Sequence, residues 1–363
     1  MTVAVGLSGG VDSAVAALLL REQGHRVVGI TMKLWRGAYR GGTKDACFGP
    51  GEADDIARAE AIARHLGIPY HVFDLSEAYE RAIVGYFRDS CLKGETPNPC
   101  VRCNAAFKFG LLPRLAREAG LEFDRFATGH YARLACTNGR QQLLRALDTR
   151  KDQSYFLYRL SQEQLARHCF PLGMLQKKEV RALARRAGLA VAEKPDSQDF
   201  YAGDTEELLQ VPPRRGAIVD RAGHVLGHHD GFWRYTIGQR KGLGIGGAGA
   251  PFYVLATNPC RNEVVVGRRE EACAAAFALD EIHWVSCPKT EAPLRCRVRV
   301  RSAGPLVPAC LEAGACRVDE PLFGVTPGQS AVCYGADDEC VLCGGIIRPF
   351  RPESFHNTLN PGS

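Results

Sequence analysis

The chain of 363 residues carries a net charge of +6, with 45% apolar and 24% charged residues. That length exceeds one average domain and points to two or three, each able to bury its own core, and the balance of residue types is that of an ordinary globular protein. The longest apolar run, Ala272 to Leu279, cannot span a bilayer as a helix, and Thr2 to Leu7 reads as a strand and not as a leader, so a cytoplasmic protein with no membrane partner is expected. Fifteen cysteines in such a chain are expected to be reduced, many as small buried apolar groups. The modest positive charge permits a polyanionic partner.

In chain order, the apolar run from Val3 to Leu7 leads into Ser8-Gly9-Gly10-Val11-Asp12-Ser13 and a helical stretch from Ala14 to Glu22. A glycine-rich turn between strand and helix aims backbone N–H groups at one spot, where the helix dipole also favours an anion. Gly6, Leu7, Ser8, Gly9, Gly10, Val11, Asp12 and Ser13 are therefore expected to cradle phosphate. The loop has neither a Gly-Lys-[Ser/Thr] ending nor the spaced glycines of a dinucleotide fingerprint. Arg26 to Met32 reads as a second strand, Ala53 to Leu66 as a helix closed by Gly67, and His71 to Leu75 as a third strand. A helix from Glu77 to Arg88, a Pro-rich loop, a helix from about Ala105 to Glu118 and a strand near Arg125 to Thr128 follow. This alternation predicts an α/β, doubly wound parallel sheet over residues 1–204, with ligands at the carboxyl ends of its strands.

After Asp204 the texture changes to short alternating strands, with turns at Asp220-Arg221-Ala222-Gly223 and Asn258-Pro259. A small mixed domain over 205–272 and a β-barrel domain over 273–363 are expected, with the tail from Arg351 to Ser363 frayed. From Leu294 to Arg301, period-two alternation sets Arg295, Arg297, Arg299 and Arg301 on one strand face, either a phosphate-binding stripe or a plain solvated face. Arg214-Arg215 and Arg240-Lys241, with Phe232, Trp233 and Tyr235, suit unstacked RNA bases, although core packing competes for the aromatics. Cys340 and Cys343 lie three apart in an expected strand, on opposite faces, and read as packing.

Cys100 and Cys103 lie in Pro97-Asn98-Pro99-Cys100-Val101-Arg102-Cys103-Asn104, read as a loop just before a helix. A thiol at a helix N-terminus beside Arg102 is expected to have a depressed pKa, as a sulfur nucleophile or metal ligand needs. The spacing alone leaves nucleophilic or redox work, half a metal site and no function all open.

The glycine loop resembles the PP-loop, SGG-x-DS, of the N-type ATP pyrophosphatases, with their adenine nucleotide α-hydrolase-like fold, which split ATP into AMP and pyrophosphate. Further motifs accompany it: Gly94-Glu95-Thr96-Pro97-Asn98-Pro99, Cys103-Asn104, Ala127-Thr128-Gly129-His130-Tyr131-Ala132, Lys151-Asp152-Gln153-Ser154-Tyr155-Phe156-Leu157-Tyr158, Lys194-Pro195-Asp196-Ser197-Gln198-Asp199, Tyr235 to Gly244, and Pro327-Gly328-Gln329-Ser330-Ala331-Val332. Together they make nearly the whole chain similar to the tRNA-specific 2-thiouridylases of the bacterial type. The resemblance implies ATP-dependent thiolation of the wobble uridine of tRNA: ATP adenylates the C2 oxygen, a cysteine-bound sulfur attacks C2, and AMP departs. It implies ATP contacts from Gly6 to Ser13, Met32 and Gly129, with Asp12 among the catalytic residues. It makes Cys103 the nucleophile and sets Asn98, Pro99 and Cys100 at the target base. His130, Lys151, Asp152, Gln153, Arg299, Val300 and Gln329 match positions that contact or orient tRNA. Magnesium on the ATP phosphates and a cysteine desulfurase or sulfur-carrier protein as partner are also expected.

Two departures matter. Relatives that relay a persulfide place a second cysteine shortly after Ser-Gln-Asp, where this chain continues Phe200-Tyr201-Ala202, and they carry aspartate where it has Cys100. Either Cys100 is the relay thiol beside Cys103, or the two ligate an iron–sulfur cluster, such as [4Fe-4S], with a third ligand from elsewhere or from an exchangeable sulfide. Outside this family, an adenylating amide ligase of the PP-loop superfamily or a non-catalytic RNA-binding protein could carry the same glycine loop. No obvious glutaminase domain supports the first.

Overall fold

The computed structural model describes residues 1–40, 42, 46–196, 199–246 and 250–349. Ser197, Gln198 and the tail from Arg351 to Ser363 lie outside the described residues, as does the side chain of Asp199.

The N-terminal part contains β1 (Thr2–Gly6), α1 (Val11–Glu22), β2 (Arg26–Lys33), β3 (Ala46–Phe48), α2 (Glu52–Leu66), β4 (Tyr70–Asp74) and β5 (Arg125–Ala127). A five-stranded, all-parallel sheet runs in the order β4, β2, β1, β5, then the short strand His168–Cys169. Val3, Ala4 and Val5 of β1 are fully buried, because helices cover both faces of the sheet and each side chain meets apolar neighbours. Gly67 ends α2 in the left-handed conformation at φ +63°.

Two helix boundaries and one strand differ from expectation. The helix expected from Glu77 to Arg88 runs as Ser76–Tyr79, a π turn Glu80–Val84 and Gly85–Leu92. The helix expected from Ala105 starts earlier, as Pro99–Cys103, and continues through a π turn Asn104–Leu111 into Leu112–Glu118. Asn98 caps it, its Oδ1 accepting from the Val101 N–H at 3.4 Å, and Pro99 presets the first helical φ. Cys100 and Cys103 therefore lie in the first turn and not in a loop before it. β3, not foreseen, pairs in parallel with Asp199–Tyr201, setting Ala46 beside Asp199 and Phe48 beside Tyr201 in a separate two-stranded sheet.

Beyond this, Val225–His229, Gly216–Val219, Glu263–Gly267 and Tyr253–Asn258 form a four-stranded sheet whose hairpins turn at the two expected places. Six strands, Cys273–Trp284, Ala315–Phe323, Val307–Glu312, Leu294–Arg299, Ser330–Tyr334 and Val341–Arg348, close a barrel. Cys343 is buried in the barrel core. Among the described residues no helix is long and apolar enough to cross a membrane.

The arginine alternation does not produce an open stripe. Arg295 pairs with Asp319 at 3.1 Å, Arg297 with Asp338 at 2.9 Å and Arg299 with Asp152 at 3.3 Å, while Arg301 donates to the Ile237 and Gly324 carbonyls at 3.0 Å. Arg297, Arg299 and Arg301, which the barrel partly buries, must find acceptors within the protein, whereas the Arg295–Asp319 pair stays in solvent. Phe232 likewise packs into the central sheet, and Trp233 donates to Glu206 at 3.1 Å, while Arg214-Arg215 and Arg240-Lys241 remain as exposed basic pairs there.

Candidate active site

β2 lies on one side of β1 and β5 on the other, so the strand order switches between β1 and β5, where a doubly wound sheet opens a crevice. The glycine loop leaves the carboxyl end of β1 at this crevice. Gly9 has φ +70°, and a Cβ there would stand 2.4 Å from the Asp55 carbonyl oxygen, so only glycine fits. Ser13 braces the turn: its Oγ accepts from the Ser8 N–H at 3.1 Å and donates to the Gly10 carbonyl at 3.1 Å. After β5, Gly129 presses against the start of α1, where an added Cβ would meet Asp12 C and Ser13 N at 2.6 Å.

The crevice encloses a cavity of about 800 Å³ lined by the glycine loop except Gly9, by Met32 and Gly129, and by His130, Lys151, Asp152, Gln153 and Arg299. Residues singled out from widely separated motifs share one wall, and the volume suits a nucleotide-sized ligand.

Cations crowd the end of the crevice at the glycine loop. Both oxygens of Asp12 accept from Lys177 Nζ at 2.7 Å, and Oδ1 also accepts from the Tyr131 hydroxyl at 2.9 Å. Lys177 reaches Asp196 at 2.7 Å, Lys151 reaches it at 2.8 Å, and Lys194 pairs with Asp55 at 2.6 Å. Burial pushes the Asp196 carboxyl up, but hydrogen bonds from Lys151 and Lys177 outweigh this and leave it below its ordinary value. Asp12 is thus a strut that orders cations around the loop. Lys177 carried no local signal in the sequence; only the fold brings it here.

Asp152 is fully buried and spends its oxygens inside the protein, accepting from Arg145 at 3.2 Å, Arg299 at 3.3 Å, the Ala146 N–H at 3.2 Å and the Ser154 hydroxyl at 3.0 Å. It fixes Arg299 at the cavity wall and leaves no oxygen for a direct contact with tRNA. Gln153 accepts from the Tyr131 N–H at 2.8 Å. His130 bonds Thr128 at 2.7 Å, and burial together with Lys108 holds its pKa well below the ordinary value, so the ring is neutral near pH 7.

Asn98, Pro99, Cys100, Cys103, Val300 and Gln329 stand outside the cavity wall. The barrel clasps their loop: Gln329 Nε2 donates to the Thr96 and Pro97 carbonyls at 3.0 and 3.4 Å, and the Thr96 N–H donates to the Pro327 carbonyl at 2.9 Å. The buried Val300 offers its carbonyl to the Tyr155 hydroxyl at 3.5 Å.

The expected depression of the thiol pKa values does not occur. Burial pushes Cys103 up to about 11 and Cys100 up to about 12. Arg102 does not counter this, since it turns away to stack over Tyr86 at 3.9 Å and to pair with Glu281 at 3.3 Å, and desolvation of a thiolate outweighs the helix terminus. The cation that does act on both thiols is Lys108, which also lines the cavity. A second unforeseen group, Cys47 of β3, lines the cavity as well and lies near both Cys100 and Cys103. A lysine inside the apolar run Ala105-Ala106-Phe107-Lys108-Phe109 was a readable signal, whereas Cys47 is isolated in sequence.

An iron–sulfur cluster takes three or four converging thiolates. Among the described residues no three Cys, His, Asp or Glu side chains gather as a metal-ligand set.

A parallel sheet that opens a glycine-rich loop into a nucleotide-sized crevice, followed by two all-β units, fits the PP-loop class of ATP-using enzymes. Three family models match in the same order: "tRNA methyl transferase HUP domain" over residues 1–201, "tRNA methyl transferase PRC-barrel domain" over 208–268 and "Aminomethyltransferase beta-barrel domain" over 274–347. The tRNA-specific 2-thiouridylase MnmA of Endomicrobium trichonymphae is 43% identical over 358 residues, covering 96% of this chain and 99% of that protein. The enzymes of the same name from Trichormus variabilis (44% over 361 residues; 96% and 99% covered) and Geobacter metallireducens (45% over 361 residues; 95% and 96%) are as similar. The chain belongs to the family of tRNA-specific 2-thiouridylases.

Proposed function

We propose that this protein uses ATP to exchange the C2 oxygen of the tRNA wobble uridine for sulfur, releasing AMP and pyrophosphate. The observation that carries the reading is Lys108, a buried cation that lines the glycine-loop cavity and acts on Cys103 and Cys100, joining an ATP half to a sulfur half.

The C2 oxygen is a poor leaving group until adenylated. Backbone N–H groups from Gly6 to Ser13 hold the phosphates, Met32 and Gly129 border the adenosine, and Asp12 with Lys177 keeps the loop in shape. Lys151, Lys177 and Lys194 favour the charge that builds up on the phosphates, and a magnesium ion bound there supplies further neutralisation. A persulfide on Cys103 attacks C2 with its outer sulfur, the C2–O bond breaks, and AMP leaves. Cys100 then attacks the Cys103 sulfur, which frees 2-thiouridine and leaves a disulfide for an external dithiol to reduce. Asn98 and Pro99 meet the base, while His130, Gln153, Arg299, Val300 and Gln329 orient the tRNA, with Asp152 acting through Arg299. The sulfur comes from a cysteine desulfurase or sulfur-carrier protein in the cytoplasm, and the chain divides into domains at 1–204, 205–272 and 273–363.

The test is 2-thiouridine formed on unmodified tRNA with ATP, magnesium and a persulfide-loaded cysteine desulfurase. Wild-type protein is expected to thiolate the wobble position, and Lys108→Met to lose at least about tenfold in rate, some 1.4 kcal/mol of transition-state stabilisation. No thiouridine from wild-type protein would overturn the proposal.

A further inference from the structure

Cys103 is buried and Cys100 half-buried, so neither thiol is presented to a partner protein carrying sulfur. Cys47 differs on each count. It is exposed, it lines the cavity of the glycine loop together with the buried Lys108, and it lies near enough to Cys100 and Cys103 to interact with both. Tyr79, which hydrogen-bonds Cys103, also lies within reach of all three thiols. β3, only three residues long, is held by a single partner strand, and Phe48 anchors it in the aromatic cluster of Trp35, Tyr39, Tyr79 and Tyr201. The anchor fixes where Cys47 stands while its own side chain stays in solvent.

We propose that Cys47 is the sulfur entry thiol, which takes the sulfane sulfur from a protein persulfide and passes it inward to Cys103; this rests on the function proposed above. In the first step the Cys47 thiolate attacks the outer sulfur of the donor persulfide, the donor S–S bond breaks, and the donor leaves as a thiolate. In the second, the Cys103 thiolate attacks the outer sulfur of the Cys47 persulfide, that S–S bond breaks, and the Cys47 sulfur departs. Both steps exchange one S–S bond for another, so no oxidant or reductant enters. Lys108 holds the charge on the Cys103 thiolate during the attack, and the proton that Cys103 gave up is taken by the departing Cys47 sulfur, which ends the step as a thiol.

The experiment uses ³⁵S-labelled cysteine with a cysteine desulfurase, and in parallel inorganic polysulfide, small enough to reach a buried thiol unaided. With the desulfurase, Cys47→Ser is expected to lose at least about tenfold in thiolation and to show no label at Cys103, while the Cys103→Ser variant accumulates label at Cys47. With polysulfide, Cys47→Ser should thiolate within about twofold of wild type; Cys260→Ser, another exposed thiol, should match wild type with both donors. Label reaching Cys103 of Cys47→Ser at the wild-type rate would overturn the entry role. Stoichiometric iron and acid-labile sulfide in anaerobically purified protein, lost in Cys47→Ser, would overturn it too. Failure of the wild type with both donors would count against the proposed function instead.

Discussion

At Gly129 the backbone of Asp12 and Ser13 occupies the space where a side chain would stand, at 2.6 Å. Gly129→Ala must push the start of α1 away from β5 and so misaim the N–H groups of the glycine loop. Overpacking of this kind costs about 1–3 kcal/mol. The expected result is a rise of about tenfold or more in the KM for ATP, with tRNA affinity unchanged in a filter-binding assay. The thiols give a pH prediction. Burial sets Cys103 at about 11, so its thiolate fraction in the free protein climbs about tenfold per pH unit from 7 to 10, and alkylation of Cys103 by iodoacetamide should climb with it. Lys108→Met removes the opposing cation and should slow that alkylation at every pH in this range. At this scale the glycine loop was legible because its chemistry is local. The thiol pKa values were not, since burial and the direction Arg102 takes are decided by distant chain. Cys47 was invisible for the same reason: its neighbours are about fifty residues away in sequence.

The cysteine helix owes its place to the barrel as much as to its own sequence. Asn98 and Pro99 start it, a signal readable in the Asn-Pro pair, but Gln329 holds the preceding carbonyls from across the fold. Gln329→Glu replaces the donating amide by a carboxylate facing two carbonyl oxygens. Each lost hydrogen bond costs about 1 kcal/mol, and repulsion adds to it. Thiolation should fall about tenfold or more while the KM for ATP holds, as steady-state kinetics with each substrate varied would show. Alternation along Leu294 to Arg299 correctly marked a strand, yet its arginines turned out to be paired, because a closing barrel supplies acceptors that strand periodicity cannot reveal.

Across the whole molecule, the buried node at Asp152 ties the segment from Arg145 to Ser154 to Arg299 of the barrel. Asp152→Ala strands the buried Arg299 guanidinium and weakens the hold on Arg145, which keeps the Asp338 carbonyl, and should cost about 3–5 kcal/mol, read as a lower urea midpoint. Acid should also destabilise the fold. Burial lowers His168 from 6.5 to about 4, and His130 lies well below 6.5. In the unfolded chain both take up protons below about 6.5, whereas folded His168 resists until about 4 and folded His130 stays neutral well below 6.5, so stability is lost as pH falls below 6.5. Asp196, also lowered, loses its share as pH falls further. The melting temperature should therefore drop between pH 6.5 and 4, less steeply in His168→Leu. The order of one α/β unit and two β units was legible from the change in texture after Asp204; closure of the barrel and the node at Asp152 depend on contacts between segments that no local pattern records. The joining of an ATP crevice to Cys103 is tested most directly by Cys103→Ser with unmodified tRNA, ATP and a persulfide donor, measuring pyrophosphate and 2-thiouridine in one reaction. The variant is expected to release pyrophosphate in a tRNA-dependent manner and to form no 2-thiouridine; 2-thiouridine at the wild-type level would contradict the account.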